Sequence, residues 1–167
     1  AGNFKRSEYG LTVVNDIVRV GNEALRFEVR HGDCGKGNGA YSDCREDRDR
    51  RELNSGDARR SRDYMKPGEH WVAWSMYFAE SHQNLYPLGN TYGQFKEINN
   101  IGDHLMPVFQ TKETDRGYTI MRTIGACGVE GCAHEKGLLI PKDNMAGKWH
   151  DILVHAKWSK KDDGFFK

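Results

Sequence analysis

Gln94 and Lys96 stand two residues apart in the stretch YGQFKEINN, residues 92–100. On a β-strand, side chains alternate between faces, so these two point the same way roughly 7 Å apart. Tyr92 shares their parity, while Phe95 has the other. An amide donates a neutral hydrogen bond and an ammonium supplies positive charge, a combination that suits an acidic group held beside an aromatic ring. The alternative is an ordinary exposed strand whose Gln94 and Lys96 meet only water. Lys96 would need a strongly lowered pKa to serve as a general base, so its working role is a clamp.

Other polar groups compete for chemistry. His104, eight residues beyond Lys96 where the chain can turn back beside it, is the most tempting base. His70 and His82 flank strands or sit in loops and read as polar surface. His150 and His155 fall on opposite faces of WHDILVHAKW and read as packing or hydrogen-bonding residues. Arg122 in TIMRTI shares parity with Ile120 and Ile124. It is either a second cation lining a cleft or a snorkelling arginine over apolar neighbours. Tyr77, Tyr86, Tyr92 and Trp74 can offer stacking faces to a ligand or fill a core, and Trp74 reads as core.

Composition narrows the classes. The chain has 167 residues, 37 % hydrophobic and 29 % charged, with a net charge of +1. That points to one folded domain over residues 1–167 and gives no sign of a nucleic-acid partner. Between Asp43 and Asp63 there are seven arginines and seven acids, a salt-linked mixture unlike a phosphate-binding tail. No apolar run reaches membrane length, so no membrane partner is expected. The four cysteines allow three pairings. Local bridges, Cys34–Cys44 and Cys127–Cys132, are the expectation, and four reduced thiols are the alternative. Their spacings do not make a zinc site. Disulfides would place the protein in an oxidising compartment, secreted or periplasmic. The final residues KWSKKDDGFFK read as a strand, a turn and the start of another strand, so the chain is expected to be incomplete at its C-terminus.

The elements that must position these groups are short strands. LTVVNDIVRV (11–20) precedes a Gly21-Asn22 turn. ALRFEVRHG puts Leu25, Phe27 and Val29 on one face, the period-two pattern of a half-buried strand. In EHWVAWSMYFAE (69–80) both faces are apolar, which predicts a central strand between two packed layers. Strands at 91–98, 104–112, 117–125, 136–141 and 149–159 follow, and only 78–86 and 141–148 leave room for short helical turns. The pattern predicts an all-β, mostly antiparallel sandwich or jelly roll.

These pieces, in order, resemble a family. GNEALRFEVRHGD at 21–33, RRELN at 50–54, GEHWVAWSMYFAE at 68–80, Gln94, and GKWHDILVHAKWSKKDDG at 147–164 are similar to the concanavalin-like jelly-roll polysaccharide lyases, the group that holds glucuronan lyase and is related to heparin lyase. The resemblance implies a sandwich of two antiparallel sheets, completed by a C-terminal portion of the same protein beyond these residues. It implies β-elimination on an acidic, uronate-containing polysaccharide, with no cofactor required for the chemistry. By the same resemblance Arg51 and Gln94 are catalytic, and Lys96 stands where members of the group carry a histidine. The family's tyrosine has no counterpart here. Glu52 reads as the partner that orients an arginine, while Arg51 is otherwise one more member of the Arg/Asp mixture. Tyr92, Arg122, Glu52 and His104 are the substrate-binding candidates. A structural calcium is common in such folds, but Asp33 and Asp43 in GDCGKGNGAYSD are poorly spaced to hold one.

Three other functions compete. A non-catalytic carbohydrate-binding module for acidic glycans is favoured by Lys96 in the histidine position. A glycoside hydrolase would need paired carboxylates on a cleft strand, and no such motif stands out. A structural or adhesion role is the last.

Overall fold

The computed structural model describes residues 8–34, 42–53, 65–96, 107–128 and 131–167, with backbone alone at 125–128 and 131–132. Its regular structure is all-β, in three sheets: β1-β2, β3-β8-β9 and β4-β5-β6-β7. A single 3-10 turn at Lys142–Asn144 is the one helical element among the described residues. No helix there is long and apolar enough to cross a membrane. The chain forms two compact units, Ala1–His70 with Lys157–Gly164, and Trp71–Ala156 with Phe165–Lys167.

In the first unit, β1 (Leu11–Val14) pairs antiparallel with β2 (Ala24–Phe27), Leu11 opposite Phe27 and Val14 opposite Ala24. The strand expected to reach Val20 stops at Val14. Asp16 accepts a hydrogen bond from the Ile17 backbone N–H, the kind of local bond that competes with a ladder. Leu25, Phe27 and Val29 were expected to be half-buried, yet they are 52 %, 46 % and 48 % exposed. A two-stranded ribbon is too narrow to bury a face on its own.

Polar ties hold the segment that follows. Asp33 accepts from the Tyr9 hydroxyl at 2.8 Å and the Arg30 backbone N–H at 2.8 Å, and pairs with Arg51 at 2.7 Å. The Arg30 N–H, then Tyr9 and Arg51, hold the Asp33 carboxyl below its ordinary pKa. Cys34 and Cys44 are bonded, with their Cα atoms 5.0 Å apart, within the span disulfides adopt. The side chains of Cys127 and Cys132 lie outside the described residues.

The second unit is built from β3 (Gly68–Phe78), β6 (Gly117–Gly128), β7 (Gly131–Pro141) and β8 (Lys148–Trp158), except for residues 68–70 and 157–158, which fall in the first unit, with β4 (Thr91–Phe95), β5 (Phe109–Thr114) and β9 (Phe165–Phe166) beside them. Phe78, Tyr118, Ile140 and Met145 form the core, with Met76, Tyr92 and Ile152 packed against it. Phe166 of β9 stacks on Phe109 at 3.8 Å and meets Phe95 edge-on at 5.6 Å. Two sheets therefore bury one face each against the other.

β3 does not bury both of its faces. Val72, Trp74 and Met76 are half-buried, whereas Trp71, Ala73 and Ser75 are exposed. On that open face Trp71 stacks on His155 at 3.7 Å, Ser75 donates to Asp151 at 2.6 Å, and Tyr77 meets Trp149 at 5.5 Å. Apolar residues there cover one another across neighbouring strands, with no second layer among the described residues. Between β5 and β6 the chain reverses at Gly117, φ 124°, where any Cβ would collide with the Ile140 carbonyl.

The bond between Cys34 and Cys44 closes a short loop in the first unit. A Cys34→Ser, Cys44→Ser variant is expected to lose about 2–4 kcal/mol, read from urea unfolding of both forms under non-reducing conditions. Equal midpoints would show that the polar ties around Asp33 suffice.

Candidate functional site

β4 meets β5 with a register irregularity between Thr91 and Gly93. Such a bulge inserts one residue and breaks the simple alternation of faces. Tyr92, expected on the Gln94 face, is accordingly turned into the core, where its ring meets Phe78 edge-on at 5.2 Å. Past the irregularity Gln94 lies opposite Gln110, and Gln110 opposite Met121, which lies opposite Lys136. Residues directly opposite share a face, so this row crosses all four strands of the sheet on the side away from Phe78 and Tyr118. Gln94 and Lys96 are both exposed.

A second amide–amine pair completes that face. Gln110-Thr111-Lys112 on β5 repeats the spacing of Gln94-Phe95-Lys96. Because the strands run antiparallel with the two glutamines opposite, Lys96 and Lys112 extend to opposite sides of them. Gln110 is 6 % exposed, and its Nε2 has no hydrogen-bond partner among the described residues. Beside it, Lys112, Thr114, Thr119, Met121 and Lys136 floor a groove of 180 Å³, walled by Tyr86, Pro87, Leu88 and Gly89.

That wall is held by one carboxylate. Glu113, whose side chain is fully buried, sits 2.7 Å from His82 Nε2 and accepts from the Tyr92 hydroxyl at 3.0 Å. Its backbone N–H donates to the Asn90 carbonyl at 3.0 Å, and Asn84 donates to the Thr114 carbonyl at 2.7 Å. Both ends of the 82–92 segment are thereby pinned to the end of β5. Burial first, then the charge and hydrogen bond of Glu113, push the Tyr92 phenol above its ordinary pKa. A phenol so held stays protonated, a donor to Glu113. His82 is no plain surface residue: its side chain is 19 % exposed and packs on Phe78 at 5.0 Å.

The remaining expected site residues lie elsewhere. Arg51 belongs to the first unit, where its side chain is 12 % exposed, paired with Asp33 and donating to the Arg50 carbonyl at 2.9 Å. Glu52 approaches Arg50 at 3.8 Å rather than Arg51. Arg122, one residue past Met121, points to the face opposite Gln94 and pairs with Glu135 at 3.3 Å, both well exposed. His104 lies outside the described residues. Asp33 and Asp43 each carry an arginine partner, Arg51 and Arg50, at 2.7 Å.

Several residues of the face were legible only with the ladder. Gln110 and Lys112 carry the same signature as Gln94 and Lys96, and Lys136 had no motif to mark it. Glu113 carries no motif in the sequence, and only its burial marks it.

Comparison with protein families places the chain. The model for the polysaccharide lyase family matches residues 2–167, nearly the whole sequence. The chain belongs to the polysaccharide lyase family. Comparison with curated proteins and with solved structures finds no match in either. Family membership carries lyase activity on polysaccharide in general.

Two outcomes follow from Glu113. Glu113→Ala strands His82 and the Tyr92 hydroxyl in the interior and is expected to cost about 3 kcal/mol or more, measured by denaturant unfolding; a change below about 1 kcal/mol would mean that solvent reaches the network. The raised Tyr92 pKa also sets a pH dependence. The folded state binds the phenolic proton more tightly than the unfolded chain, so this stability is complete below the unfolded value of about 10 and is lost as pH rises above it. Thermal unfolding across alkaline pH is expected to fall less steeply for Tyr92→Phe than for the parent.

Proposed function

We propose that this chain cleaves an acidic, uronate-containing polysaccharide by β-elimination, with glucuronan-like polymers as the first substrates to try. The observation that carries the reading is the exposed Gln94 on β4 with the exposed Lys96 just past the end of that strand, and no carboxylate partner for Lys96 among the described residues. Family membership supports the lyase class.

The chemistry assigns each group a task. The C5 carboxylate of a uronate must be neutralised before its α-proton becomes acidic. Lys96 brings positive charge to that carboxylate, and the Gln94 amide adds a hydrogen bond that strengthens as charge moves onto it. A base then removes the C5 proton, the electron pair forms the C4–C5 double bond, and the C4–O4 bond breaks as the departing oxygen takes a proton. Tyr92 is unsuited to be the base, since its phenol is engaged with Glu113 and resists ionisation. Arg51 keeps a proposed place in the substrate site through its resemblance alone.

We read the two sheets of the second unit as part of a concanavalin-like jelly roll within a single domain. The Cys34–Cys44 bond favours an oxidising, extracytoplasmic setting. A second reading, a binding module without turnover, is favoured by Lys96 standing where the resemblance expects a histidine.

The test is ultraviolet absorbance of the unsaturated uronate formed from a panel of acidic polymers. Gln94→Ala is expected to reduce kcat about 10²-fold with an unchanged unfolding midpoint, and Lys96→Ala to reduce it at least as far. Binding of acidic oligosaccharide with no new absorbance would select the module instead. Full activity in both variants would remove these two residues from the site.

A further inference from the structure

We infer that the groove beside Gln110, floored by Lys112 and Lys136, is a second acid-binding subsite, taking the carboxylate of another uronate in the same polymer. This rests on the reading of the substrate as an acidic polysaccharide. It concerns residues that neither the chemistry of cleavage nor the resemblance required.

Six observations converge on it. Gln110 and Lys112 repeat the amide–amine spacing of Gln94 and Lys96 one strand away, with the glutamines opposite each other and the lysines diverging. Strand geometry then separates the backbone positions of Lys96 and Lys112 by roughly 14 Å, which leaves room for two acid groups along a polymer. Lys136 lies in the same transverse row as Gln94 and Gln110, and it lines the groove with Lys112. Neither lysine has an ion-pair partner among the described residues. The only carboxylate among the groove residues, that of Glu113, is fully buried and committed to His82 and Tyr92. The Gln110 amide nitrogen, more than nine-tenths buried on this face, has no hydrogen-bond partner among the described residues. Tyr86, 55 % exposed on the wall, offers a ring face for a sugar.

Lysine provides charge without a fixed fork, so this subsite would hold an acid group electrostatically rather than dictate its angle. It should therefore add affinity for longer acidic chains and do little for the bond-breaking step. Glu113 acts here as a positioning residue, since it anchors the loop that carries Tyr86.

The experiment compares Lys112→Ala, Lys136→Ala, the double variant and a Lys112→Arg, Lys136→Arg control. Binding to an acidic disaccharide, a long acidic oligosaccharide and a neutral glucan is measured by calorimetry at two salt concentrations, and turnover is followed in parallel. The double alanine variant is expected to bind the long acidic oligosaccharide at least tenfold more weakly, with a shallower salt dependence. Its binding of the disaccharide should be almost unchanged, its KM raised and its kcat nearly constant. The arginine pair should restore most of the affinity, which separates a charge role from a structural one. Equal affinity of parent and double variant for the long chain, or equal losses on both chain lengths, overturns the subsite. If the parent makes no unsaturated product but the length-dependent loss of binding remains, the lyase reading fails and the subsite stands.

Discussion

One buried carboxylate organises the described site. Glu113 sits at the end of β5 with its side chain sealed from solvent, and such a group is tolerated only when its oxygens are satisfied. His82 and the Tyr92 hydroxyl satisfy them. These partners come from the two ends of the segment between β3 and β4, so the bond that makes the carboxylate affordable also sets the loop against the sheet. The Tyr86–Gly89 wall of the groove is a consequence of that closure. The same contact turns Tyr92 inward and leaves Gln94 as the group presented outward.

Strand register then distributes the chemistry. Because Gln94 lies opposite Gln110, two short amide–amine repeats become one surface, with lysines on either side and a third, Lys136, in line across the sheet. The opposite face of the same strands carries Tyr118, Phe109 and Thr111 toward the core or the neighbouring sheet. A sheet can thus be apolar within and cationic without, and the alternation of side chains is enough to keep the two apart.

The two compact units have different kinds of cohesion. The first depends on polar ties about Asp33 and on the bridge between Cys34 and Cys44, with its hairpin largely exposed. The second has an aromatic core in which Phe78 touches His82, Tyr92, Tyr118 and His150. Arg51 belongs to the first kind of cohesion, where its guanidinium already serves Asp33.

Much of the fold was legible from alternation alone. The long strands near 69–80, 117–125 and 149–159 are where the apolar periodicity put them, because period-two patterning over many residues has few other solutions. The local Cys34–Cys44 bridge was legible too. What the sequence by itself determined was the class of element and the parity within each. Only the tertiary structure decided which parities meet. The bulge that turns Tyr92 inward, the face to which Arg122 points, the burial of Glu113 and the pairing of Gln94 with Gln110 depend on register between strands distant in sequence. That register is chosen by packing against a second sheet, a constraint that no single strand's pattern contains.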